Sequence, residues 1–178
     1  MSQVGKLNMV NSKLGATMPG QQTTRYIYDS VTAVAGQSQY NFFQTFAGKN
    51  DLQSNLTTNK LDSSESMVIK SIFITGDITP TFTGHMNLNI TVGNQVVLKD
   101  FNPAFNATNR GVSFDRLHSG FSGGQSLEVR LLTDIVIPPQ VNFKATLELA
   151  EGSAVLVGEN ITLGLKGYGT IFSAGSTF

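Results

Sequence analysis

A chain of 178 residues is long enough to bury a substantial core in one domain without help from disulfides or metal. Twelve basic side chains balance twelve acidic ones and cysteine is absent. This excludes a general attraction to nucleic acid or anionic lipid, disulfides, cysteine-ligated metal and thiol catalysis. Charged residues make up 13%, about half the usual ~25%, and Ser, Thr, Asn and Gln fill the gap with 58 positions.

The first 24 residues carry Lys6 and Lys13 as their only charges, and no acid precedes Asp29. Leu7, Val10 and Leu14 stand at helical spacing, but Gly5, Gly15, Pro19 and Gly20 bound them closely, so any helix is short and needs a partner to persist. Residues 1–24 therefore read as an extended or flexible arm, and residues 25–178 as a single domain. The N-terminal stretch lacks the roughly 7–15-residue apolar run of a secretory signal. No apolar stretch approaches the ~18 residues of a spanning helix. The expected product is soluble and made in the cytoplasm without a signal peptide.

From Arg25 onward the hydrophobic period is two. Residues 26–34 are β-branched and aromatic and fit a strand that changes face near Asp29-Ser30. Residues 39–46 set Tyr40, Phe42 and Phe43 close together, as in a strand with aromatic residues on both sides. Residues 67–75 are apolar on both faces, as expected of a central strand. Met86, Leu88, Ile90 and Val92 alternate with polar residues, Gly93-Asn94 suits a type II′ turn, and the apolar pattern then resumes, predicting a hairpin over 86–98. Residues 127–131, 143–149 and 161–165 alternate in the same way. Pro80, Pro103 and Pro138-Pro139 fall between strands, where a missing N–H costs nothing.

About eight strands, no long helix and two long connections at 47–66 and 102–125 predict an all-β fold. An antiparallel β-sandwich of jelly-roll or Greek-key type fits better than an up-and-down barrel, whose turns would be uniformly short.

Catalytic chemistry is missing from the pattern. Gly120-Phe121-Ser122-Gly123-Gly124 matches G-x-S-x-G, but a strand pattern follows where a helix is required, and both His85 and His118 precede the serine. His118 has Asp115 three residues before it but no nucleophile beside it, and two lone histidines make no metal site. Asp62 and Glu65 bracket Ser63-Ser64 with too few oxygen ligands for calcium. The glycines of residues 164–169 end a β pattern and lack the strand–helix setting of a nucleotide cradle. The Asn-x-Thr triplets at Asn55, Asn89, Asn106 and Asn160 read as chance in a chain so rich in both residues. No enzyme activity, cofactor or metal is expected.

Three features point to assembly. A polar but sparsely charged surface suits a chain covered by neighbours, because interface cores are depleted in Lys, Glu and Asp. An arm ahead of a compact sandwich lets one subunit lace onto the next. The tail, residues 171–178, has no charged side chain and ends on Phe178. Candidate assembly contacts are Lys6 and Lys13 of the arm, Arg25 at its end, Phe105 and Phe121 of the second long connection, and Phe178.

A polar arm, a cysteine-free sandwich rich in Asn, Thr and Gly, and an apolar C-terminus together resemble the structural proteins of viruses and bacteriophages. Single jelly-roll capsid, minor-capsid and head-decoration subunits are the nearest in kind. The resemblance implies a repeated, non-enzymatic subunit of a virion. Its partners would be further copies of itself or a major capsid protein, with no small-molecule substrate and no membrane. Three positive charges on the arm neutralise few phosphates, which argues against nucleic acid as a partner and for an outer or inter-capsomer position.

The competing reading is a carbohydrate- or receptor-binding sandwich of the adhesin or lectin type. Sugars stack on exposed Trp or Tyr, yet Trp is absent and Tyr26, Tyr28 and Tyr40 fall within predicted strands, leaving Tyr168 near a loop.

Overall fold

The computed structural model describes residues 20–76, 86–101, 125–149, 158 and 160–172. These hold eight strands and no helix: β1 (Gly20–Thr32), β2 (Gln39–Phe42), β3 (Glu65–Gly76), β4 (Met86–Val92), β5 (Gln95–Phe101), β6 (Gln125–Ile137), β7 (Phe143–Leu149) and β8 (Asn160–Phe172). They form two four-stranded antiparallel sheets, β1-β8-β3-β6 and β2-β7-β4-β5.

The pairing β1 with β8, β2 with β7, β3 with β6 and β4 with β5 is that of one long hairpin rolled over itself. The contacts β3–β8 and β4–β7 close the roll. This is the jelly roll, the sandwich solution to the edge-strand problem that the alternation predicts. Inward-facing side chains from both sheets make one core, with Ile27, Ile69, Ile72 and Leu165 meeting Phe42, Leu88, Ile90, Phe143 and Leu147.

Alternation produces this core directly in β4 and β7, where every second residue is buried except Val92 at the end of β4, which is partly so. The predicted turn is also present. Gly93 has a φ of 60° and Asn94 has no positive φ, which fits type II′ and not type I′.

Two predicted details are corrected. β2 ends at Phe42, and its aromatic residues do not occupy both faces. Phe43 takes a φ of 60° and turns its ring inward, so Tyr40, Phe42 and Phe43 are all buried in the core. Nor does β1 change face at Asp29-Ser30, because its register against β8 runs unbroken from Gly20↔Phe172 to Thr32↔Asn160. Both residues are buried because the β2–β3 connection lies along that edge of the strand. β1 also begins at Gly20, inside the segment read as arm.

The β2–β3, β4–β5 and β6–β7 connections share one end of the roll and are bonded to one another. Gln140 N–H donates to Leu61 O (3.0 Å), Phe143 N–H to Asn59 O (2.8 Å) and Gly93 N–H to Asn142 O (2.7 Å). At this same end β1 starts and β8 finishes, with Gly20 opposite Phe172.

Candidate functional site

The outer faces of the two sheets differ in chemistry. On β2-β7-β4 the outward positions are Gln39, Asn41, Lys144, Thr146, Glu148, Asn87, Asn89 and Thr91, all polar. Asn41, Thr146 and Asn89 lie in register across the strands, and the Thr146 hydroxyl donates to Asn41 Oδ1 at 3.0 Å. These positions are satisfied by water, while β5 at the edge of the same sheet exposes Val96 and Val97.

The outer face of β1-β8-β3-β6 mixes aromatic and apolar side chains with charged ones in three rows. One row reads Tyr28, Gly164, Phe73, Glu128, the next Tyr26, Lys166, Ser71, Arg130, and a third Thr24, Tyr168, Val68, Val136. Gly164 makes the first row possible. A Cβ there would lie 1.8 Å from the Phe73 ring, so the ring rests directly on the β8 backbone. Tyr26 reaches across β8 to stack on Phe73, with centroids 4.8 Å apart and an 11° interplanar angle, and Tyr28 tilts against Tyr26 at 5.4 Å.

Lys166 Nζ sits 5.3 Å from the Phe73 centroid and donates to Glu128 Oε2 at 2.8 Å. The Ser71 hydroxyl donates to the other Glu128 oxygen at 2.9 Å. Phe73 is thereby only 5% exposed although it faces away from the core, while Tyr26 remains 39% exposed. Burial pushes the Tyr26 phenol up to about 12, helped by the Tyr28 phenol and the Glu128 carboxylate nearby.

Both edges of this sheet are elaborated. At β1 the β2–β3 connection supplies the missing partners. Ser30 N–H donates to Gln53 O (2.7 Å), Tyr28 N–H to Asn55 Oδ1 (3.0 Å), and Asn55 Nδ2 to Tyr26 O (2.7 Å). The Tyr28 hydroxyl donates to the Asp51 carbonyl. Wholly buried Asp29 holds the connection in place, accepting Phe43 N–H and Lys49 Nζ, each at 2.7 Å.

At β6 the ladder breaks. Ile69 pairs with Ile135 and Ser71 with Arg130, so extra β6 residues loop out opposite Lys70. Lys70 Nζ grips Asp134 at 2.7 Å, and Leu132 projects from the bulge at 81% exposure.

No protein-family model and no curated protein matches the chain. Similar solved structures include the empty head of turnip yellow mosaic virus, with 13% identity over 91% of this chain and 87% of that one and a TM-score of 0.31. Another is from nora virus, with 11% identity, coverage of 89% and 64%, and a TM-score of 0.32. A third is Desmodium yellow mottle tymovirus, with 10% identity, coverage of 91% and 94%, and a TM-score of 0.30. Likenesses of this degree bear on neither activity nor partners.

Of the residues predicted as assembly contacts, Lys6, Lys13, Phe105, Phe121 and Phe178 lie outside the described residues, as do His85, His118 and the G-x-S-x-G stretch. Arg25 is described. Its guanidinium reaches across β8 to Glu65, 2.7 Å away, with its alkyl stem against Gly169. Glu65 N–H also donates to Asp62 O at 3.0 Å, so the Asp62–Glu65 pair marks a turn into β3. Among the described residues no three His, Cys, Asp or Glu side chains gather as a metal site, and no helix is long and apolar enough to cross a membrane.

The Asn-x-Thr asparagines that are described all have side-chain partners. Asn55 bonds β1, Asn89 Oδ1 accepts Asp100 N–H (2.8 Å), and Asn160 Oδ1 accepts the Thr32 hydroxyl (3.0 Å).

The aromatic rows escaped the sequence reading, although the two-sided apolarity of residues 67–75 was their signal. The adjacent Leu131-Leu132, which breaks the period of two, was the signal for the bulge.

Proposed function

We propose that the chain is a non-enzymatic structural subunit of a virus particle that works through contacts with further copies of itself or with a major capsid protein. The observation carrying this reading is the patch on the outer face of β1-β8-β3-β6, where Tyr26 stacks on Phe73 and Tyr26 and Val136 stay part-exposed, on the sheet where the start of β1 lies beside the end of β8. Apolar surface kept on one face gains free energy when a neighbour covers it, at roughly 25 cal/mol per Å².

The segment before β1 is the natural lace. Fully extended, 19 residues reach up to roughly 65 Å, more than the width of a domain of this size. Its Val4, Leu7, Val10 and Leu14 supply apolar anchors, and Lys6 and Lys13 supply charge. Phe178, six residues beyond β8 in the sequence, supplies a further aromatic anchor.

Light scattering over a concentration series tests the reading. Assemblies that lose mass when residues 1–19 are deleted support it. A chain that stays monomeric both alone and with a capsid lattice refutes it. That result would favour the carbohydrate- or receptor-binding alternative, for which the part-exposed Tyr26 ring on the outer face is the motivating feature. Loss of glycan binding in Tyr26→Ala would then be decisive.

A further inference from the structure

The two edges of the sheet β1-β8-β3-β6 each hold a leucine out to solvent on a braced support. On the β1 side Leu52 is 87% exposed. Its turn is not loose, because Asn50 Oδ1 accepts both Leu52 N–H (3.0 Å) and Gln53 N–H (3.1 Å), Asn50 O accepts Ser54 N–H (3.0 Å), and Gln53 Oε1 accepts Asn50 N–H (3.2 Å). On the β6 side Leu132 is 81% exposed on the bulge that the Lys70–Asp134 pair braces. Scattered exposed leucines are ordinary on loops, but here both supports are hydrogen-bonded or ion-paired and stand at opposite edges of one sheet.

Lys49 near Leu52 and Asp134 near Leu132 are each taken up in an ion pair within the chain, and the exposed charges that remain beside the two leucines are opposite in sign. Asp51 adjoins Leu52 and is exposed, and Arg130 lies two residues before Leu132, also exposed. The edges differ in shape as well, a capped turn on one side and a bulge on the other. Unlike surfaces on opposite sides of a subunit favour a heterologous, head-to-tail contact over a two-fold one, because a two-fold contact would set like charges together.

We infer that a second copy of this chain docks head to tail, its β6 bulge (Leu132, Arg130) against the β2–β3 turn (Leu52, Asp51) of the first. The contact leaves one free surface of each kind at the ends of any open string of subunits, so it propagates into a closed ring or an open filament. The inference rests on the reading of the chain as a self-assembling subunit, and it names the surfaces that reading requires.

The experiment uses the full chain, with folding of each variant checked by its thermal melt. Leu52→Asp and Leu132→Asp should each weaken self-association by about thirtyfold, the loss expected for one buried leucine contact. Mixed in equal amounts, the two variants should form heterodimers and nothing larger, since each retains the surface the other lacks.

Asp51→Arg and Arg130→Asp should each weaken association by about tenfold, and the double reversal should restore it. If the wild-type chain assembles while all four variants assemble equally well, the head-to-tail contact is wrong and the subunit reading stands. If Leu132→Asp alone blocks assembly, the contact is a two-fold one and the inference fails. A wild-type chain that never self-associates overturns the head-to-tail contact, and binding to a capsid lattice then decides the subunit reading separately.

Discussion

Asp29 is wholly buried on the inner side of an edge strand, and its two oxygens serve different masters. One accepts the N–H of Phe43, whose left-handed φ of 60° costs energy for a residue with a Cβ, and the other holds Lys49. The carboxylate thus fixes the strained residue that swings the Phe43 ring into the core. Asp29→Ala should cost roughly 3 kcal/mol, because it strands a buried N–H and a mostly buried ammonium. Asp29→Asn, which keeps an acceptor for Phe43, should cost less. Urea unfolding should show a lower midpoint with the slope unchanged. The exposed Lys99–Asp100 pair, 3.9 Å apart, is the control, and Lys99→Ala should be nearly neutral.

Tyr26 gives a second prediction at this scale. Its phenol stays neutral in the fold up to about 12, against an ordinary 10.0 in the unfolded chain. The stability it supplies is therefore full below pH 10 and is lost as pH rises through about 12. Urea midpoints measured across that window should fall more steeply for the wild-type chain than for Tyr26→Phe.

Edges decide the behaviour of the elements. β1 would offer a row of unpaired groups to any passing strand, and the β2–β3 connection blunts it by bonding Tyr26, Tyr28 and Ser30. β5 is protected differently, by register breaks near Asp100 and Val97 that twist it away from regular pairing. Asn55→Ala removes two of the bonds on β1 and should cost about 1–2 kcal/mol. It should also speed exchange of the Tyr28 amide hydrogen while leaving the amides of β7 protected.

Local chemistry made some of these elements legible and left others hidden. Polar–apolar alternation placed β4 and β7, and glycine at the right turn position placed the hairpin, because each depends on neighbours in the chain. Residues 47–66 read as a polar connection, since nothing in Asn50, Gln53 or Asn55 announces a partner on β1. The stack of Tyr26 on Phe73 exists because β8 enters between β1 and β3 and contributes Gly164 there. Such a pairing depends on strand order, which alternation does not encode.

At the scale of the whole molecule the roll places its first and last strands side by side, so the two ends of the chain depend on each other. Residues 20–24 pair with residues 168–172, so the last part of the arm read from composition is strand. Residues 20–24 are a structural piece of the sheet β1-β8-β3-β6.

Deleting residues 1–24 strips several ladder hydrogen bonds at a net ~1 kcal/mol each and leaves the end of β8 paired with β3 alone. A loss on the order of 2 kcal/mol should lower Tm by roughly 4–8 °C in a chain of this size. Deleting only residues 1–19 should leave Tm within about 1 °C, since the sheet keeps every described pair. Calorimetry on the two truncations separates these effects. Equal melting temperatures would mean that the first five residues of β1 contribute nothing, and a fall for the shorter deletion would mean that residues 1–19 stabilise their own subunit. Loss of assembled mass by the 1–19 deletion at unchanged Tm is the result that isolates lacing between subunits from damage within one.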